Sequence, residues 1–169
     1  MTSEQINLIQ QNFDRIMPQA DAAATVFYNR LFSMKPSLRL LFPDDLAEQK
    51  KKLMTTLGVA IKSLHETEKL IPILENLGRR HALYGVRDEH YRTVGTALLL
   101  TLRDALGKDF TSEAHTAWAE MYRVVAAVMK RGARHLEQEN EETDFNLQET
   151  KRMKIENIHL PSTHYYHQF

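Results

Sequence analysis

A single histidine stands on an otherwise apolar helical face near the middle of the chain. His81 follows Leu77 by four residues and Leu74 by seven, so an α-helix places the three side chains on one face. A titratable imidazole on that face is directed at a core instead of at water. Such a residue either pairs within the core, which is the commoner case, or serves a bound group.

Two further polar side chains fall on helix faces that otherwise look buried. Tyr28 lies among apolar residues, and Gln49 shares its face with Leu53. A buried phenol or amide costs about 1–3 kcal/mol unless it is hydrogen-bonded. Tyr28 has the alternative of bonding a main-chain carbonyl, and Gln49 has that of a half-exposed position beside several lysines. Together with His81, these two donors are typical of groups placed around a ligand.

Helices must position these residues. Apolar side chains recur at the period of an α-helix up to about residue 130, and no alternating strand pattern is present. Thr2 and Gln5 form a capping box for the first helix, and Asp88 is expected to cap the helix that carries Tyr91. We therefore predict an all-α fold of about seven helices of unequal length, unlike a regular four-helix bundle.

Composition excludes several kinds of site. Lys and Arg together number 22, as do Asp and Glu, so no net charge favours nucleic acid or an anionic membrane. The absence of cysteine excludes disulfides and thiolate metal sites. No apolar run is long enough to span a membrane, and Met1–Gln5 lacks the features of a signal peptide. We expect a cytoplasmic protein that binds neither nucleic acid nor membranes.

The composition changes towards the C-terminus. Residues 137–149 contain six acidic side chains and no basic one. The final segment carries three histidines, at His159, His164 and His167. Their spacing through a Pro-Ser-Thr context is more typical of an unstructured tail than of a metal site. We predict a folded domain over residues 1–134 and a polar extension over residues 135–169, part helix and part flexible.

The polar residues belong to a specific series of spacings. In chain order the series is Tyr28, Pro36, Phe42, Gln49, His81 and, ten residues further on, Tyr91. This set resembles that of bacterial single-domain globins of the flavohaemoglobin and Vitreoscilla haemoglobin lineage. The run from Leu77 to Val86 is especially similar to the thermophilic methanotroph globins of that lineage. The resemblance covers residues 3–133 and implies a globin fold around haem b, iron protoporphyrin IX.

The resemblance also implies a role for each site residue. His81 is the iron ligand through Nε2, and its Nδ1–H donates to a main-chain carbonyl, most simply that of Leu77. Tyr28 and Gln49 form the distal pair that donates hydrogen bonds to a bound gas. The remaining haem contacts are Phe42 as the stacked ring, Leu53 above the iron, and Val86, Tyr91 and Val94.

The activity implied by the resemblance is dioxygen binding and dioxygenation of nitric oxide to nitrate, with carbon monoxide as a further ligand. One departure concerns the proximal side, where members with a reductase domain add a glutamate to the histidine and tyrosine. Counting from Trp118, that position is Ala133. A second is the lack of any G-x-G-x-x-G motif, so a separate reductase would have to restore the iron. A non-enzymatic oxygen carrier or store, and a haem-based gas or redox sensor, remain alternatives.

Overall fold

The computed structural model describes residues 1–158. The α-helices are α1 Ser3–Ile16, α2 Ala20–Met34, α3 Ala47–Lys62, α4 Thr67–Leu83, α5 Asp88–Leu106 and α6 Ser112–Ile158. Three 3₁₀ helices connect them, at Met17–Gln19, Pro36–Leu41 and Gly107–Asp109. The all-α prediction is confirmed, and the expected seventh helix is the 3₁₀ helix that begins at Pro36. Within the described chain, no helix is both long and apolar enough to cross a membrane.

Helix starts show one correct prediction and one wrong one. The Thr2–Gln5 capping box is present, with the Thr2 amide donating to Gln5 Oε1 at 2.8 Å and the Gln5 amide to Thr2 Oγ1 at 3.1 Å. Asp88, by contrast, is the first residue inside α5, and Arg87 is its N-cap. The reason is that buried His90 satisfies the start of the helix, because its Nδ1 accepts the Arg87 amide hydrogen at 3.0 Å.

A continuous apolar core joins all six helices. Its largest fully buried side chains come from α1, α2, α3 and α6, and they are Trp118, Ile9, Leu31, Ile61 and Met121. Trp118 donates from Nε1 to Asn12 Oδ1 at 3.2 Å, so its polar atom is satisfied within the core. The same core packs against the half-buried residues that surround the candidate site.

Two glycines let α4, the helix of His81, approach the main chain of α6. A Cβ atom added at Gly78 would lie 1.9 Å from the Met129 carbonyl oxygen. A Cβ atom at Gly132 would lie 2.1 Å from the Glu75 carbonyl oxygen. Arg131 Nε and Glu75 Oε1, 2.6 Å apart, form an ion pair beside the crossing. Any larger residue at either glycine must separate the two helices, and Gly78 is three residues before His81.

The chain divides into two compact units, Met1–Ala133 and Arg134–Phe169. In the second unit the described residues are helical to Ile158. Glutamate, lysine and arginine favour helix without needing an apolar stripe, which accounts for a helix where the apolar pattern fades. The three histidines of the tail, His159, His164 and His167, lie outside the described residues.

Candidate haem site

His81 lies in the last turn of α4 and is half-buried. Its Nδ1 is 2.9 Å from the Leu77 carbonyl oxygen, the bond expected from the resemblance. That carbonyl can only accept, so Nδ1 carries the proton and Nε2 keeps a free lone pair. Burial lowers the pKa of His81, the Leu77 bond opposes this, and Arg80 adds to the lowering. The imidazole is therefore neutral near pH 7 and suited to bind a metal ion through Nε2.

The turn after His81 is stabilised by main-chain contacts. The Val86 amide donates to the His81 carbonyl at 3.0 Å. Gly85 adopts a φ of 89°, a left-handed conformation that glycine enters without steric cost. The turn leads directly into α5, which carries Tyr91 and Val94. Val86, Tyr91 and Val94, three of the predicted haem contacts, therefore lie in this turn and in the first two turns of α5.

Tyr28 and Gln49 are hydrogen-bonded to each other. Tyr28 on α2 is 3% exposed, and Gln49 on α3 is half-buried. Gln49 Nε2 donates to the Tyr28 hydroxyl oxygen at 3.2 Å. Burial raises the pKa of Tyr28, and the Gln49 bond offsets this only in part. The phenol is therefore neutral near pH 7, and since its oxygen accepts from Gln49, its own hydrogen is left to donate to another group.

Phe42 joins this pair through its ring. The centroids of Phe42 and Tyr28 are 5.5 Å apart, with the rings nearly perpendicular. Phe32 contacts both, at 5.4 Å from Phe42 and 5.9 Å from Tyr28. The two edge-to-face contacts that Phe42 makes, with Tyr28 and with Phe32, contribute about 0.5–1.5 kcal/mol each. Three residues predicted from widely separated positions, Tyr28, Phe42 and Gln49, therefore form one contact group.

The predicted apolar contacts share an intermediate burial. They pack against the core and yet keep part of their surface exposed: Phe42, Leu53, Leu77, Val86 and Val94. A flat apolar group would cover such surfaces, and a haem is a flat apolar macrocycle whose iron accepts a neutral imidazole nitrogen. The donor set and the apolar surroundings therefore fit a haem, which His81 could bind through Nε2.

Tyr91 is buried at the start of α5 beside charged groups. Burial and the neighbouring Asp88 carboxylate raise its pKa to about 12. Lys130 Nζ from α6 lies 5.4 Å from the centre of the Tyr91 ring and 3.8 Å from Asp88 Oδ2. Ala133 carries no carboxylate, so the charged group that α6 brings against this ring is a cation. The arrangement differs from the histidine–tyrosine–glutamate set of the resemblance.

Sequence reasoning missed two residues that hold the site in place. The Tyr122 hydroxyl on α6 donates to the Tyr91 carbonyl, and its ring would lie 2.4 Å from a Cβ added at Gly95. Arg39 binds the main chain that follows Pro36–Leu41. Gly95 inside a helix was an available signal of close packing, whereas nothing in the sequence indicated which atoms Arg39 binds.

Comparison with known proteins identifies the family. The globin family model matches residues 25–129, more than half of the chain. The chain belongs to the globin family. A neuroglobin of Tetraodon nigroviridis is 30% identical over 146 residues, covering 78% of this globin and 92% of the relative. A neuroglobin of Danio rerio is also 30% identical, over 139 residues, covering 74% and 87%. Family membership implies a haem cofactor and a gas-binding role.

Solved structures of two bacterial proteins have the same fold. A globin from Campylobacter jejuni has a TM-score of 0.73 and 24% identity, with 81% of this globin and 99% of that chain covered. A carbene transferase engineered from a proposed nitric oxide dioxygenase of Rhodothermus marinus has a TM-score of 0.73 and 22% identity, with 82% and 96% covered. At these identities the similarity establishes the globin fold alone.

Proposed function

We propose that this globin binds haem b through His81, binds dioxygen beside Tyr28 and Gln49, and converts nitric oxide and dioxygen to nitrate with a separate reductase. When bound, haem iron supplies reversible binding of diatomic gases and one-electron chemistry. We place the reaction in the cytoplasm, and we place the protein in the flavohaemoglobin and Vitreoscilla haemoglobin lineage on the motif series from Tyr28 to Tyr91.

The observation that carries this proposal is the bond from Gln49 to Tyr28. The amide holds the phenol oxygen at 3.2 Å and leaves the phenol hydrogen free to point at a ligand. Because burial raises the Tyr28 pKa, that hydrogen is retained throughout the neutral range. On the other side, the Leu77 carbonyl fixes the orientation of His81. Tyr28 is itself only 3% exposed, which limits the access of water to the donor.

Tyr28→Phe is expected to speed dioxygen dissociation about 10- to 100-fold, because a hydrogen bond to a ligand with anionic character is worth about 1.5–3 kcal/mol. The rate is measured by mixing the oxygenated protein with carbon monoxide. Tyr84→Phe is the matched control, since Tyr84 is 66% exposed and should leave the rate unchanged. An unchanged rate in Tyr28→Phe would remove Tyr28 from the ligand site.

Turnover distinguishes the dioxygenase from the oxygen carrier. The carbene transferase engineered from the Rhodothermus marinus protein motivates the dioxygenase hypothesis, because its parent is described as a proposed nitric oxide dioxygenase. Nitric oxide is added under air with a flavin reductase and NADH, and nitrate is measured against protein. We expect many nitrates per chain, one electron being consumed for each. If nitrate stops at one equivalent while the reductase still reduces the haem, this globin is a carrier.

A further inference from the structure

Arg39 bends back from the 3₁₀ helix Pro36–Leu41 to bind the turn that follows it. Its Nη1 donates to the Phe42 carbonyl at 3.2 Å and to the Pro43 carbonyl at 2.8 Å. Its Nη2 donates to the Asp44 carbonyl at 2.9 Å. The Arg39 main-chain carbonyl in turn accepts the Phe42 amide hydrogen at 3.2 Å. Arg39 therefore holds the Phe42 main chain at both its amide and its carbonyl.

The guanidinium of Arg39 is the hydrogen-bond donor to these three carbonyls. No main-chain amide in the described part of the chain donates to the oxygens of Phe42, Pro43 or Asp44. The carboxylate of Asp44 is fully exposed and 4.0 Å from Arg39 Nη2, so a surface ion pair does not explain the geometry. The planar guanidinium offers several donors in a fixed arrangement, which a lysine ammonium does not. The guanidinium thus defines the path of the turn.

The same guanidinium also packs on the aromatic group of the site. Arg39 Cζ lies 5.4 Å from the centre of the Phe32 ring, within the range of a cation–π contact. Phe32 contacts Phe42 and Tyr28, and those two rings contact each other. Arg39 therefore contacts the group of three rings at two places. It binds the main chain of Phe42, and it packs on the face of the Phe32 ring.

We propose that Arg39 is a positioning residue of this globin, which holds Phe42 against the haem and, through Phe32, fixes the Tyr28 hydroxyl that donates to bound dioxygen. The part of this proposal that concerns dioxygen retention rests on the proposed function. The part that concerns haem retention depends only on Phe42. Removing the guanidinium frees three carbonyls and the Phe32 ring together, so both haem retention and dioxygen retention weaken.

The test compares Arg39→Met and Arg39→Lys in the haem-loaded full chain. Methionine keeps an unbranched stem of similar length on Phe32 but no donor, and lysine keeps the charge but can reach fewer carbonyls. We expect Arg39→Met to speed both haem transfer to an acceptor globin and dioxygen dissociation, each about three- to tenfold. Both rates in Arg39→Lys should lie between those of the wild type and those of Arg39→Met. If Arg39→Met does not fold, the comparison of Arg39→Lys with the wild type tests the proposal.

A double-variant measurement separates positioning from general destabilisation. In a Tyr28→Phe background, Arg39→Met should change dioxygen dissociation by less than about twofold, because the donor that it positions is gone. Arg15→Met, which removes an exposed guanidinium 2.7 Å from Asp109, is the control and should change neither rate. Equal acceleration by Arg39→Met in both backgrounds overturns the link to Tyr28.

The haem-transfer measurement tests the other part of the proposal, that Arg39 holds Phe42 against the haem. Unchanged haem transfer in Arg39→Met, with only the melting temperature lowered, overturns the role assigned to Arg39 through Phe42. If Tyr28→Phe alone leaves dioxygen dissociation unchanged, the proposed function fails at Tyr28. Haem transfer then still decides whether Arg39 holds Phe42, so the two failures are distinguishable.

Discussion

The His81→Ala variant is expected to lose haem at least about 100-fold faster than the wild type, since even residues that only support a metal ligand alter metal affinity by about 10–100-fold. The side chain supplies the one neutral nitrogen that the Leu77 bond leaves free for a metal ion. Haem loss is measured as transfer to an excess of acceptor globin. Added imidazole should slow the loss, because it can occupy the space of the missing ring and supply the same nitrogen.

His65→Ala is the matched control for this experiment. His65 is exposed in the segment between α3 and α4, so its removal should leave haem loss unchanged. Equal rates of loss from His81→Ala and the wild type, with no effect of imidazole, would contradict the assignment of His81 as the ligand. Rapid loss from both variants would point to a general loss of structure.

Gly78→Ala is expected to destabilise the apoprotein by about 2–3 kcal/mol, which combines an overpacking cost of about 3 kcal/mol or more with a helix-propensity gain of about 1 kcal/mol. The added methyl group meets the Met129 carbonyl oxygen at 1.9 Å, a main-chain atom that cannot rotate away. Separating α4 from α6 also moves the helix of His81. Haem loss should therefore rise together with the loss of stability, which is measured by urea unfolding.

Gly58→Ala is the control for this prediction. The nearest atom to a Cβ at Gly58 is Cε1 of the Phe13 ring at 3.2 Å, a side-chain atom that can shift slightly. Its cost and the gain in helix propensity are of similar size, so we expect a change of less than about 1 kcal/mol. Similar unfolding free energies for Gly78→Ala and Gly58→Ala would contradict the close crossing of α4 and α6.

The proximal side bears on reactivity. His81 bonds a neutral carbonyl, and the α6 residue against Tyr91 is the cation Lys130. A neutral acceptor would draw an iron-bound imidazole less towards imidazolate than a carboxylate would, and would so give a bound haem iron less electron density. Such a proximal side would favour binding of dioxygen over activation of its bond. It differs in this respect from the histidine–tyrosine–glutamate set, and the nitrate measurement decides whether the O–O bond, which nitrate formation must break, is broken here.

Local patterns were enough to predict the helices and part of the site. The apolar period and the Thr2–Gln5 box indicated α1, and the resemblance predicted the bond from His81 to the Leu77 carbonyl. The pairing of Tyr28 with Gln49 could be expected only from the resemblance, because 21 residues and a change of helix separate them.

Contacts that form only when distant parts of the chain come together could not be predicted from the sequence. Gly78 resembles any helix-interior glycine until the Met129 carbonyl is seen next to it. Arg39 could equally have been a solvated cation, and only the fold of the turn brings three carbonyls to it. Asp88 was predicted as a cap by residue type, and the buried imidazole of His90 took that role because it satisfied the Arg87 amide.

An absorption titration of the purified apoprotein with haem tests the central claim, that this globin holds a haem through His81. Spectra are recorded in the ferric state, in the ferrous state and with carbon monoxide, for the wild type and for His81→Ala. We predict a Soret band that saturates at one haem per chain, shifts on reduction and with carbon monoxide, and has the form of a histidine-ligated haem in the wild type alone. No Soret band after reconstitution, or identical spectra from the two proteins, would contradict it.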